Sequence, residues 1–174
     1  MTKKTENPNR FEQRHLHGQA MAEFAMVLPI LLMVIYGLLE VGRLLFTYAS
    51  VTNASREAVR YGSAYGVNSD DVPRYQDCAG IRAAAKKTGF LLGLQDADIT
   101  IEYDNGPGTA VFDVCDGLED TGVELSCGDR VIVTIEDNFT PIVPLVPIKP
   151  MHIDSASGRT FTGIIELTDD YSCE

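Results

Sequence analysis

The sequence predicts an α+β protein: a long N-terminal helix, one further short helix and a small antiparallel sheet packed on the long helix. Three observations carry this. Residues 24–39 form an unbroken uncharged, largely apolar run. Residues 48–65 continue it with apolar side chains three and four positions apart. Segments beyond residue 98 alternate apolar and polar residues between short turns, which favours strands paired antiparallel. At 174 residues, 45% of them apolar, the chain is long enough for one domain plus an anchor.

The elements follow in order. Residues 1–17 are polar, show no apolar period and read as a disordered leader. A helix is expected from about Gln19. Phe24–Leu39 places sixteen uncharged residues between Glu23 and Glu40, slightly short of the roughly 20 that a membrane span needs. Gln19–Met21 and Val41–Phe46 complete it, giving a transmembrane segment over 19–46. Pro29 has no amide to offer the carbonyl of Ala25, so a kink is expected there. Gly37 and Gly42 permit close approach of neighbouring helices. Over 47–65 the helix becomes amphipathic. Tyr48, Val51, Ala54, Ala58, Tyr61 and Tyr65 share one side, with Asn53, Arg56, Glu57 and Arg60 on the other. From Gln19 to Tyr65 such a helix would be about 70 Å long.

Gly66–Pro73 breaks the helix and opens a head over 66–174. A second helix is predicted from Asp77 to Thr88, capped by Asp77, with Ile81, Ala84 and Ala85 inward and Gly89 ending it. Ile99, Ile101 and Tyr103 mark a first strand. Asp104-Asn105-Gly106-Pro107-Gly108 is a turn, Thr109–Cys115 a second strand, and Val131, Val133 and Ile135 lie in a third. A fourth is expected around Thr160–Leu167. Pro141, Pro144, Pro147 and Pro150 recur at every third position and would line one edge of a polyproline II helix. The residues between are largely apolar, which favours a strap packed on the head over an exposed ligand for a proline-binding module.

Charge orients the chain. Residues 1–18 hold four bases (Lys3, Lys4, Arg10, Arg14) and two acids; the remainder holds ten bases and twenty-three acids, a net of −13. A basic end before an apolar run stays in the cytoplasm, so the acidic head is expected outside. Such a surface repels a nucleic-acid backbone, and no nucleic-acid partner is expected. The apolar stretch is too long for a secretory signal, and no small-residue cleavage site follows closely. An uncleaved signal-anchor is the plainer reading of the span. Glu23 is costly at the edge of such a helix. A cut after Gly18 would free a cationic amine at Gln19, about one turn away. Glu40 and Arg43, three apart, can pair near the outer membrane face.

Cys78, Cys115, Cys127 and Cys173 all follow the span, and four external cysteines suggest two disulfides. Of three possible pairings, Cys115–Cys127 is the most local, which leaves Cys78–Cys173 to tie down the tail. A four-cysteine zinc site is the rival, disfavoured because there is no C-x-x-C pair. Enzymatic chemistry finds little material. His15 and His17 fall in the leader, and His152 has no nearby cysteine or G-x-S-x-G element. There is no phosphate-binding glycine loop. The carboxylate pairs Asp96/Asp98 and Glu119/Asp120 read as solvated in an acidic chain, and neither Asp96-Ala97-Asp98 nor Asn68–Asp71 matches calcium-loop spacing. No catalytic residue, metal or cofactor is expected.

Gly18-Gln19-Ala20, Glu23-Phe24-Ala25, Val27-Leu28-Pro29, Glu40-Val41-Gly42-Arg43 and Thr52-Asn53-Ala54-Ser55-Arg56-Glu57 occur in that order. Together they resemble the TadE-like segment that opens many pseudopilins of tight-adherence (Tad/Flp) systems. The resemblance spans roughly a quarter of the chain. It implies a membrane-held minor pilin that assembles or tips a surface filament and serves adhesion. It also implies processing between Gly18 and Gln19 and assembly through Glu23 and Phe24, with Glu23 holding the new amine. The implied partners are a prepilin peptidase, Tad platform proteins, an assembly ATPase, other pilin subunits and membrane lipid. The rival from another class is a permanently anchored envelope protein whose head binds a ligand or hydrolyses one. The first residue of the mature chain discriminates the two.

Overall fold

The computed structural model describes residues 9–117, 125, 128–142 and 149–161, with side chains from residue 18 onward. The elements are α1 (Asn9–Gly62), α2 (Cys78–Thr88), β1 (Ile99–Asp104), β2 (Val111–Val114), β3 (Arg130–Phe139) and β4 (Met151–Thr160), with short 3-10 turns at Asp96–Asp98 and Cys115–Gly117. The class is α+β, as the sequence predicts. The chain divides into two compact units, Met1–Arg43 and Leu44–Glu174, with the boundary inside α1.

In the first unit α1 starts at Asn9, although a disordered leader was expected as far as residue 17. Pro8 is the last helix breaker before it. Glu12, Gln13, Arg14 and Leu16 lose little rotamer freedom in a helix, and extending an existing helix needs no new nucleus. The helix runs through Pro29. Its large apolar side chains from Met21 to Val41 are exposed, Leu28 alone being half-buried.

In the second unit the strands lie in the order β2-β1-β3-β4, every neighbouring pair antiparallel. Ile99, Ile101 and Tyr103 of β1 stand opposite Ile135, Val133 and Val131 of β3. All six are buried, so the period-two pattern places one sheet face in the core. That face packs with Val51, Ala54, Ala58 and Val59 of α1 and Ile81 and Ala85 of α2.

Two expected features sit differently. Tyr48 and Tyr65, the ends of the predicted helix stripe, are exposed, while Ser55 and Val59 are buried. The helix ends at Gly62, so Tyr65 lies past the last turn. The fourth strand is Met151–Thr160; most of the expected Thr160–Leu167 span, from residue 162, lies outside the described residues. The sequence pattern missed β4 because its inward positions beyond Ile153 are serines. Ser155 and Ser157 oppose Ile135 and Val133 on β3. Their hydroxyls lie 3.3 and 3.0 Å from Ser55 Oγ, whose proton goes to the Thr52 carbonyl at 3.1 Å. Both β4 hydroxyls then donate to Ser55, and the seam between α1 and β4 is hydroxyl-bonded rather than oily. Of the proline series, Pro144 and Pro147 lie outside the described residues.

Candidate functional site

Gly18, Gln19, Glu23 and Phe24 occupy successive turns of α1. The Gln19 side-chain amide donates to Glu23 Oε1 at 3.0 Å, one turn apart. The same i,i+4 relation brings the backbone nitrogen of Gln19 onto the turn beneath Glu23. Phe24 is exposed. A Cβ built on Gly18, Gly37 or Gly42 meets nothing within 4 Å among the described residues, so no described neighbour requires glycine there. The Arg43 guanidinium donates to Glu40 Oε2 at 2.9 Å, the pair expected from the sequence. The helix over Gly18–Gly62 is long and apolar enough to cross a membrane, and none of its most apolar eighteen residues is buried.

The cysteines are paired otherwise than expected. Cys78 is bonded to Cys115, with their Cα atoms 5.8 Å apart. This excludes both Cys115–Cys127 and Cys78–Cys173; Cys127 and Cys173 themselves lie outside the described residues. The physical reason is that closeness in sequence is not closeness in space. Cys78 is the first residue of α2, and Cys115 follows β2, whose partner β1 carries the chain beside that helix end. One helical turn further along α2, Arg82 forks onto both carboxylate oxygens of Asp116, its NH1 at 2.8 Å from Oδ1. A covalent and an ionic tie therefore join the same two segments. The Arg82 bond holds the Asp116 carboxyl below the usual range. The Tyr103 hydroxyl donates to the Tyr75 carbonyl at 2.5 Å and lies 3.0 Å from Cys115 Sγ; burial pushes its pKa up. The Tyr75 ring stacks on Phe161, with centroids 4.5 Å apart.

The predicted cap of α2 is formed. Asp77 Oδ1 accepts from the Gly80 amide at 2.9 Å and Oδ2 from the Tyr61 hydroxyl at 2.7 Å. Burial opposes the charge on Asp77, but these bonds outweigh it and its pKa is lowered. Gly80 is needed for this arrangement. A Cβ there would sit 2.5 Å from the Tyr61 hydroxyl and closer still to Asp77 Oδ2. Asp104 and Arg130 face each other across β1 and β3, with Nε donating to Oδ1 at 2.7 Å. Asp104 is buried, and the bond from Arg130 holds its carboxyl low. Sequence reasoning placed Asp104 only in a turn; it stands opposite Arg130 through the β1–β3 register, a pairing across 26 positions that leaves no local sequence signature.

Two open grooves flank the outer side of α1 in the second unit. One, of about 780 Å³, is lined by Arg56, Arg60, Thr88 and Arg159 among others. The other, of about 710 Å³, adds Arg74 and Lys87. The Arg74 guanidinium lies 5.3 Å above the Tyr61 ring. Sequence reading placed Arg56 and Arg60 on the polar side of the helix without joining them to Arg74, Lys87 and Arg159.

Residues 18–60 match the family model described as TadE-like protein. The matched segment holds Gly18, Gln19, Glu23, Phe24, Glu40 and Arg43 and ends within α1, consistent with a TadE-like protein of a Tad pilus system. No curated protein and no solved structure matches the chain.

Proposed function

We propose that this TadE-like chain is a membrane-inserted minor pilin or pseudopilin that takes part in assembling a Tad-type surface pilus and in adhesion. The observation that carries the reading is the N-terminal segment itself. An apolar helix with its long side chains uncovered carries Gly18, Glu23 and Phe24 in register, inside the family match. Exposed apolar surface on this scale calls for lipid or neighbouring helices. Gly37 and Gly42, with open space above them, suit close helix packing.

In this reading the basic N-terminus stays in the cytoplasm and the head is extracytoplasmic. A prepilin peptidase cuts between Gly18 and Gln19, and the Gln19 amine replaces the side-chain amide as the partner of Glu23, in its own or a neighbouring subunit. That charge pairing fixes helix register as subunits leave the bilayer for the filament, driven by the platform proteins and the assembly ATPase. The head then primes assembly or meets a surface. We assign the chain no catalytic step.

The test is intact mass and N-terminal sequencing of the membrane-extracted protein from cells with an active prepilin peptidase. Loss of residues 1–18 is expected, and a full-length chain would overturn the reading. Glu23→Ala should still insert, since it removes a costly charge from lipid, and should fail to co-purify with neighbouring pilins. Wild-type recovery of those partners by the variant would remove the role given to Glu23.

A further inference from the structure

We infer that the head binds a second copy of this chain head to tail, the basic grooves beside α1 of one copy receiving the acidic outer face of the β3–β4 hairpin of the next. The inference rests on the charges of the second unit alone and stands apart from the pilus reading.

The positive charge of the head is concentrated in one place. Ten bases follow Gly18, nine of them in the second unit, where Lys149 stands apart from the rest. Arg43, Arg82, Lys86 and Arg130 are engaged by Glu40, Asp116, Asp96 and Asp104. Five others, Arg56, Arg60, Arg74, Lys87 and Arg159, line the two grooves, and Glu57 is the one acid among the lining residues. Glu57 lies 3.6 Å from Arg60, both largely exposed. Arg56, Lys87 and Arg159 make no ion pair among the described residues. Within a strongly acidic chain, these grooves form a cationic surface built from α1, α2 and the end of β4.

The complementary surface lies on the other face of the sheet. Glu136 and Asp154 stand directly opposite each other in the β3–β4 register, both exposed, next to the inward-facing Ile135 and Ile153. Like charges directly opposed across a ladder are destabilising. The neighbouring His152 Nε2 is 3.8 Å from Glu136. An incoming guanidinium relieves this repulsion and finds two acceptors at cross-strand spacing.

The net charges of two heads repel. At physiological salt the Debye length is about 8 Å, so this long-range term is screened while charge pairs in contact persist. The two surfaces differ and lie on different faces, so the contact is heterologous and propagates instead of closing as a two-fold dimer.

The full chain in detergent micelles is examined by sedimentation at about 0.15 M and at about 1 M salt. Wild type should associate at the lower of the two, where the long-range repulsion is screened and contact pairs persist, and the higher should weaken the association. Arg56→Glu/Arg60→Glu and Glu136→Lys/Asp154→Lys should each lose affinity by about tenfold or more, as close interfacial charge pairs do. Their equimolar mixture should regain it, because each supplies the sign the other lacks. All positions are exposed; a variant that no longer forms the Cys78–Cys115 bond is replaced by its Gln counterpart, for which the same loss is expected. Monomeric wild type, association indifferent to salt and to these changes, or a mixture that fails to pair would overturn the inference. So would loss from the groove changes without loss from the hairpin changes, since the occupant would then be another anion, such as the acidic residues 162–174.

Discussion

Gly80→Ala reverses the usual sign of a glycine-to-alanine change in a helix. In an exposed helix the substitution gains about 1 kcal/mol. Here the added methyl lands on the cap, 2.5 Å from the Tyr61 hydroxyl and closer still to Asp77 Oδ2. Both side chains must move, and the bonds at 2.9 Å (Gly80 amide to Asp77) and 2.7 Å (Tyr61 to Asp77) are lost. Losing the cap costs about 1 kcal/mol, and a hydrogen bond to a charged acceptor is worth about 1.5–3 kcal/mol. The net is a loss of about 2 kcal/mol. A domain of this size shifts by about 4 °C for each kcal/mol, so thermal unfolding followed by circular dichroism should show the midpoint about 8 °C lower. Tyr61→Phe removes the hydroxyl and its bond to Asp77 but leaves the ring Cε1 2.6 Å from the added methyl. In that background the cost of Gly80→Ala should shrink, because the Tyr61–Asp77 bond is no longer there to lose, without vanishing; a double-mutant cycle reads this coupling directly. A Gly80→Ala protein as stable as wild type or more so, or equal costs in both backgrounds, would refute the account of the cap.

Three further outcomes are expected. Cys78→Ser/Cys115→Ser frees a loop of 37 residues and should cost about 4 kcal/mol in urea unfolding, while non-reducing peptide mapping of the wild type should return a Cys78–Cys115 pair; a Cys115–Cys127 pair would contradict the structure. Ser55→Ala removes the atom that both β4 hydroxyls meet and should cost about 1–3 kcal/mol, with Ser155→Ala adding much less on top of it than alone. Asp77, Asp104 and Asp116 all have lowered pKa values in the fold, so their contribution is present above the unfolded value near 3.8 and is lost as pH falls through their lower folded values; stability should be flat from pH 5 to neutrality and drop below about pH 4, less steeply in Arg130→Gln.

What was legible in the sequence follows from whether the signal was local. The second helix was placed to within a residue because Asp77 and Gly89 mark its ends chemically. β1 and β3 were legible because their inward residues are β-branched or aromatic at strict alternation. β4 was not, because Ser155 and Ser157 carry no apolar signal and their role exists only opposite Ser55. The cysteine pairing failed for the same reason: it depends on the start of α2 lying beside the end of β2, which spacing along the chain does not encode. Of the candidate site, Gln19–Glu23 and Glu40–Arg43 were readable because one turn of helix defines each pair. The basic grooves were not, because their residues come from α1, α2, the loop before α2 and β4.

The Ser55 contacts close across 100 and 102 positions of chain. This sets an order of events during synthesis. The apolar segment and the stripe of Val51, Ala54 and Ala58 leave the ribosome about a hundred residues before the strand that covers the Ser55 side of that stripe. No partial chain ending before Ser157 can complete the head, so the final closure waits for β4 and carries the entropy of a long loop. Such long-range pairing slows folding, and the stripe stays open to other contacts until β4 arrives. A nonsense change before Ser155 leaves Ser55 and the stripe beside it without the hydroxyls that meet it.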